Sequence, residues 1–224
     1  MNVRLALLFS TTVGFAHLGH AADLMPPANA NFTPLSVSTI GKSTYMVRDP
    51  LTMTFADGAP AITVPAGFIT ELASVPKRLH WWGGKTEASM APAVIHDYLY
   101  WYQPCTQDEA DAVMYFAMRA LGANNANAAA AYRAVNSGGS AEFKKNTDMR
   151  RSGDMRTLTA QYTNIVVQTA NFDVNETRES ALRKAQASAG LVKHESASDA
   201  VKLTCARLLS QCAPCSDRLN RKKR

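Results

Sequence analysis

The chain has 224 residues, 46% of them hydrophobic, with a formal net charge of +6. That is enough for one sizeable core plus an extension. The charge belongs to the ends. Arg4 lies in the first residues, Arg218, Arg221, Lys222, Lys223 and Arg224 fall in the last seven, and residues 22–217 balance to zero. A neutral body has no basic face, so nucleic-acid binding is not expected.

In chain order, Met1-Asn-Val-Arg4 is a short positive start and Leu5 to Leu18 is apolar but too short and interrupted to span a bilayer. Gly19-His-Ala21 ends it in small residues, so residues 1–21 read as an export signal and the mature chain is expected in the periplasm or secreted. Residues 22–42 are rich in Pro, Ala, Asn, Ser and Thr and read as a linker or irregular arm. The stretches 43–48, 51–56, 61–64 and 68–70 carry β-branched and aromatic residues between Pro and Gly turns, which predicts a small antiparallel meander.

Three helices are predicted next. The first, about 89–102, stops before Pro104, because a proline ring disfavours helix at the residue before it. The second opens with Thr106-Gln-Asp-Glu109, a capping box, and ends at Gly122. The third, about 126–135, is alanine-rich and closes at Gly138-Gly139. The fold class is therefore α+β, a meander packed on a helical hairpin plus a third helix, over residues 43–143. Residues 144–224 read as a helical extension with a basic tail. Within it 161–174 is expected to extend as a strand, and 176–191 and 196–212 have helical composition. The tail suits a solvated end or contact with an anionic phospholipid surface or another envelope component.

The chemistry concentrates in Met90-Ala-Pro-Ala-Val-Ile-His-Asp-Tyr-Leu-Tyr-Trp-Tyr102, where His96 and Asp97 sit inside an apolar, aromatic helix. Burying an imidazole and a carboxylate is costly unless each finds a partner. His96 lies six residues before the end of its helix and Asp111 five after Thr106, so an antiparallel hairpin brings them to one level. Asp111 can then fix the imidazole tautomer and leave the other nitrogen as a general base on water. Asp97 points about 100° away around the helix. It suits a hard cation such as calcium, with carbonyl oxygens from Gly83 and Gly84 of the Trp82-Gly-Gly-Lys85 loop. Glu71 is a possible additional acid. The competing reading keeps His96, Asp97, Asp111 and Glu71 as a structural polar network, with Tyr98, Tyr100, Trp101 and Tyr102 as core.

An even cysteine count in an exported chain favours disulfides. Cys205 and Cys212 on one helix stand about 10 Å apart along its axis, too far to bridge. The expected pairs are Cys105 with Cys205 and Cys212 with Cys215.

The pieces Val64-Pro-Ala-Gly-Phe-Ile-Thr-Glu-Leu-Ala-Ser-Val-Pro76, His96-Asp-Tyr-Leu-Tyr100, Glu109-Ala-Asp-Ala-Val-Met-Tyr-Phe-Ala-Met118 and Ala131-Tyr-Arg-Ala-Val135 resemble the phage and bacterial domain-of-unknown-function family 1353. That resemblance covers about residues 43–143, with Glu71 where the family usually shows Asp. It implies a role at the cell envelope or in a phage-tail-type assembly. His96, Asp97, Tyr100 and Asp111 are also similar in pattern to the active-site helix of secreted phospholipases A2. This second resemblance implies that His96 activates water, Asp97 binds calcium, Asp111 orients His96 and Tyr100 supports Asp111; the flanking cysteines of many such enzymes are absent here. The leading expectation is calcium-assisted hydrolysis of lipid esters. The alternatives are a non-enzymatic envelope or virion-type module and a metal-dependent murein hydrolase.

Overall fold

The computed structural model describes residues 29–71, 87–168 and 199–215, together with 175, 177, 180, 183, 184, 187 and 190–192. The export signal, Gly83, Gly84, Trp81, Trp82 and the basic tail lie outside the described residues, as does most of 176–191.

Six strands come first: β1 (Ala30–Phe32), β2 (Val37–Gly41), β3 (Thr44–Val47), β4 (Leu51–Phe55), β5 (Ile62–Val64) and β6 (Ile69–Thr70). Four helices follow: α1 (Glu87–Tyr102), α2 (Gln107–Ala120), α3 (Asn125–Gly138) and α4 (Ser140–Arg151). The chain ends in β7 (Thr157–Leu158), α5 (Ala160–Gln168), β8 (Leu191–Val192) and α6 (Asp199–Gln211). The fold is α+β.

All strand pairing is antiparallel, but the strands divide between two three-stranded sheets, β1-β4-β5 and β2-β3-β6, with β7 and β8 as a separate pair. The meander expected from the sequence is thus split. β3 and β4 follow each other across Asp49-Pro50 yet join different sheets. Alternation explains the first sheet: Leu51, Met53 and Phe55 of β4 and Ile62 and Val64 of β5 are buried, whereas Thr54 and Thr63 face solvent. The Thr52 and Thr63 hydroxyls meet across the strands at 3.1 Å. β3 is buried at all four positions, as suits a central strand covered on both sides.

Residues 30–41, read from the sequence as irregular, supply β1 and β2. Their polar composition hid them because exposed positions carry Asn31 and Thr39. The stretch 161–174 also differs from expectation: its described part is α5, not a strand. Thr159 starts that helix by accepting the Tyr162 N–H on its hydroxyl at 3.2 Å, and this local cap outweighs the β-branched residues behind it. Leu191, expected to end a helix, pairs with Leu158 in β8.

From Ala91 to Tyr102 α1 is buried at every position but Asp97, between α2, α4, β5 and β6. A helix that is apolar all round can only be stable in such a place. It ends at Tyr102, and Gln103, just before Pro104, turns to a φ of 51°. The capping box is present: the Glu109 N–H donates to the Thr106 hydroxyl and the Thr106 N–H to the Glu109 carboxylate. α3 runs to Gly138, three residues past its predicted end, and Gly139 takes right-handed helical angles, so the chain passes straight into α4.

The second half of the chain completes the same core. Leu158 donates its N–H to the Gly67 carbonyl at 2.9 Å. Gly67 has a φ of +84°, and a Cβ there would lie 2.7 Å from the Leu158 carbonyl oxygen, so only glycine fits this junction. α6 packs along α2 and buries Val201, Cys205 and Leu208 in the main cluster.

Candidate functional site: a buried histidine held by an aspartate and a tyrosine

The α1 and α2 hairpin sets the site. Antiparallel packing brings His96 Nε2 to 2.7 Å from Asp111 Oδ1, with His96 2% exposed and Asp111 fully buried. Tyr100, one turn after His96, donates its hydroxyl to the same Asp111 oxygen at 2.6 Å. The His96 and Tyr100 rings lie with centroids 4.0 Å apart, so the pair fills one slot beside α2. The other Asp111 oxygen accepts from Asn136 Nδ2 at 2.7 Å, and the same amide nitrogen donates to Asp108 at 2.8 Å.

A carboxylate only accepts, so Nε2 donates to Asp111, and in the neutral ring Nδ1 presents its lone pair. His96 Nδ1 is buried and has no hydrogen-bond partner among the described residues. Leaving such an atom unsatisfied costs about 1 to 3 kcal/mol, which makes it a site that calls for an explanation. Burial first and the charge of Asp111 second push the Tyr100 hydroxyl far above the usual phenol range. Tyr100 therefore stays a donor to Asp111 at any physiological pH.

Two residues that the sequence reading passed over complete this network. Asn136 lies in the alanine-rich α3 on the face shared by the buried Ala128, Tyr132 and Val135. A buried amide on that stripe must be hydrogen-bonded, and the spacing was the available signal. Gly139 clears the room for Tyr100. A Cβ at Gly139 would lie 2.3 Å from the Tyr100 hydroxyl oxygen and 2.6 Å from the Val135 carbonyl oxygen. Phe143 of α4 then meets the Tyr100 ring edge to face at 5.1 Å.

Asp97 turns the other way. It is half-buried and accepts the Thr70 hydroxyl at 2.5 Å on Oδ2, which fastens α1 to β6. Glu71 follows Thr70 directly, and the chain runs on from it toward Gly83 and Gly84. Among the described residues no three His, Cys, Asp or Glu side chains converge as a metal site. The aromatic residues of α1 are core: Tyr98, Trp101 and Tyr102 are buried, Tyr98 packs between Phe68 and Tyr102, and the Arg156 guanidinium lies 4.3 Å above the Trp101 ring.

The cysteines fall into two pairs. Cys212 and Cys215 are joined. The expected bridge between Cys105 and Cys205 is not closed; both are buried free thiols. The contact with Cys205 first and burial second push the Cys105 thiol far above its usual range.

The fold and site define a small α+β domain built around a histidine bonded to an aspartate that a tyrosine supports. Residues 45–135, which contain that whole constellation except Asn136 and Gly139, match the model of the family described as Protein of unknown function (DUF1353). No curated protein and no solved structure matches the chain significantly.

Proposed function

We propose that the protein is an exported, envelope-active hydrolase that cleaves lipid esters, with His96 Nδ1 as general base. The observation that carries this reading is the unpartnered Nδ1 on a ring whose other nitrogen is held by Asp111. In this mechanism His96 Nδ1 takes a proton from water as the oxygen attacks the ester carbonyl, and returns it to the leaving alkoxide. Asp111 stabilises the imidazolium formed in between, and the Tyr100 and Asn136 donors keep Asp111 in place. His96 is 2% exposed, so this reading requires the cover over α1 to open when the ester enters.

Asp97, a half-buried carboxylate that accepts from Thr70, fits a hard cation such as calcium. When bound there, the cation supplies positive charge for the ester oxygen. The second reading is a non-enzymatic envelope module, favoured by the continuation of the network through Asn136 to Asp108, which ties α1, α2 and α3 together.

His96→Gln separates the two. A glutamine amide reaches where Nε2 stood and still donates to Asp111, yet it cannot take a proton. Fatty-acid release from phosphatidylglycerol vesicles with millimolar calcium is expected to fall by about two to four orders of magnitude in this variant. Its melting temperature is expected to stay close to that of the unaltered protein. Absence of release by the unaltered protein, or equal release by the variant, overturns the hydrolase reading and leaves the module.

A further inference from the structure

The sheet β2-β3-β6 does not end at β6. The Leu158 N–H donates to the Gly67 carbonyl at 2.9 Å, the Ile69 N–H donates to the Arg156 carbonyl at 2.8 Å, and Phe68 bridges Thr157 between them. Arg156, Thr157 and Leu158 therefore lie antiparallel along the outer edge of β6, the backbone arrangement by which a sheet takes up an extended peptide. Each of their side chains meets its own surroundings. The Arg156 guanidinium lies 4.3 Å over the Trp101 ring and donates to Asn146 at 3.1 Å. The Thr157 and Tyr102 hydroxyls meet at 2.7 Å, and Leu158 enters the second apolar cluster with Ile40, Met46 and Ile69.

The two sides of this contact differ in origin. Gly67, Phe68, Ile69, Trp101 and Tyr102 lie within residues 45–135, the span that the family model matches, whereas Arg156, Thr157 and Leu158 lie beyond its end. A β edge left unpaired is a template for another strand, and this chain fills the edge of β6 from its own extension. We propose that the edge of β6, flanked by Trp101 and Tyr102, is a peptide-binding groove, that its ligand is an extended segment with arginine, threonine and leucine in succession, and that residues 156–158 are a tethered copy of that ligand. The partner is a polypeptide that presents this pattern in an extended stretch. The inference is independent of the proposed hydrolysis.

The tether makes the groove closed yet available. Ser152 and Gly153, between α4 and the strand, are exposed, and a Cβ on Gly153 would meet nothing within 4 Å, so the chain has room to swing outward there. The other side of the strand pairs with β8, so β7, α5 and β8 leave β6 as one unit. A tethered copy competes at an effective concentration in the millimolar range. A free peptide therefore gains the groove when the local copy is weakened.

The test uses the full chain. A fluorescent, end-blocked peptide with the sequence of residues 154–159, Asp-Met-Arg-Thr-Leu-Thr, is titrated into the unaltered protein and into the Arg156→Ala, Leu158→Ala double variant, whose own copy is weakened. The peptide is expected to bind the variant at least about tenfold more tightly than the unaltered chain. Alanine in place of the peptide's arginine or leucine is expected to lose about tenfold. No binding to the folded variant, or equal binding of a scrambled peptide, overturns the inference. So does a peptide that fails while the unaltered chain dimerises on concentration, which gives the edge to a second copy. If the double variant does not fold, amide hydrogen exchange on the unaltered protein decides: the Ile69 and Leu158 amides are expected to exchange at least about tenfold faster than those of α2. Exchange of both only together with α2 shows an edge that does not open, and overturns the inference as well.

Discussion

His96 and Asp97 are adjacent in the chain, yet α1 presents them to opposite surroundings. His96 turns to α2 and enters a closed network in which Asp111 accepts from His96, Tyr100 and Asn136. Asp97 turns to β6, stays half-buried and accepts from Thr70. On the first side the carboxylate is out of water and its donors are irreplaceable. On the second, the carboxylate keeps partial contact with solvent and Thr70 is its buried donor. A one-residue step around a helix thus separates a group whose loss strands buried polar atoms from one whose loss is mild.

Paired substitutions give the largest expected difference. Asp111→Ala strands His96 Nε2 and the Tyr100 hydroxyl and leaves Asn136 Nδ2 to Asp108, and is expected to cost about 3 to 5 kcal/mol in urea denaturation. Asp97→Asn keeps an acceptor for Thr70 at a half-exposed position and is expected to cost under about 1 kcal/mol. Equal losses would remove the distinction between the two faces.

The alkaline limb of the stability curve tests the same faces through their tyrosines. Tyr98, packed on the Phe68 side, is pushed up to about 12 by burial first and by Tyr102 second. Its ordinary value near 10 applies once the chain unfolds. The unfolded state therefore loses this proton first, so nothing changes below pH 10 and stability falls above it by about 1.4 kcal/mol per pH, reaching about 3 kcal/mol by pH 12. Tyr100, raised further by burial and Asp111, adds a parallel slope. Tyr98→Phe is expected to remove one slope and Tyr100→Phe the other, read as denaturation midpoints between pH 9 and 11.

Crowding at Gly139 gives the next effect. The methyl of Gly139→Ala would press on the Tyr100 hydroxyl oxygen and on the Val135 carbonyl, with an expected cost of about 1 to 3 kcal/mol. Removing the hydroxyl with Tyr100→Phe relieves half of that conflict. The double variant is therefore expected to be more stable than the sum of the two single losses implies. Strict additivity would show that Tyr100 is not what Gly139 makes room for.

What the sequence disclosed follows from range. The helix pair was legible because its signals are local: the capping box at Thr106, the stop before Pro104, and two polar groups inside an apolar run. The level of His96 against Asp111 came from counting turns. Strand partners were not legible, since β3 and β4 look consecutive while their pairing with β6, β1 and β5 is decided by long-range packing. Gly139 reads as a helix stop in sequence, but in the fold it is a space-maker within an almost continuous run of helix. Asn136 escaped because an amide just past the predicted end of α3 announces no partner until Asp108 and Asp111 are brought to it.

The smallest expected effect concerns the cation proposed at Asp97. A ligand that binds only the folded chain raises its stability by RT ln(1 + [L]/Kd). At a Kd of about 1 mM, within the range of extracellular calcium modules, about 10 mM calcium adds roughly 1.4 kcal/mol and lifts the melting temperature by roughly 3 to 6 °C. Magnesium, which holds its waters more tightly, is expected to give less. Asp97→Asn should abolish the calcium shift while leaving the His96 network and the calcium-free melting temperature nearly intact. Thr70→Val, which removes only the hydroxyl donated to Asp97, should cost about 1 kcal/mol without calcium and keep the shift, because the carboxylate remains for the metal. A shift that persists in Asp97→Asn would place the cation elsewhere and detach this face of α1 from the proposed chemistry, while the His96 face would still be judged by His96→Gln alone.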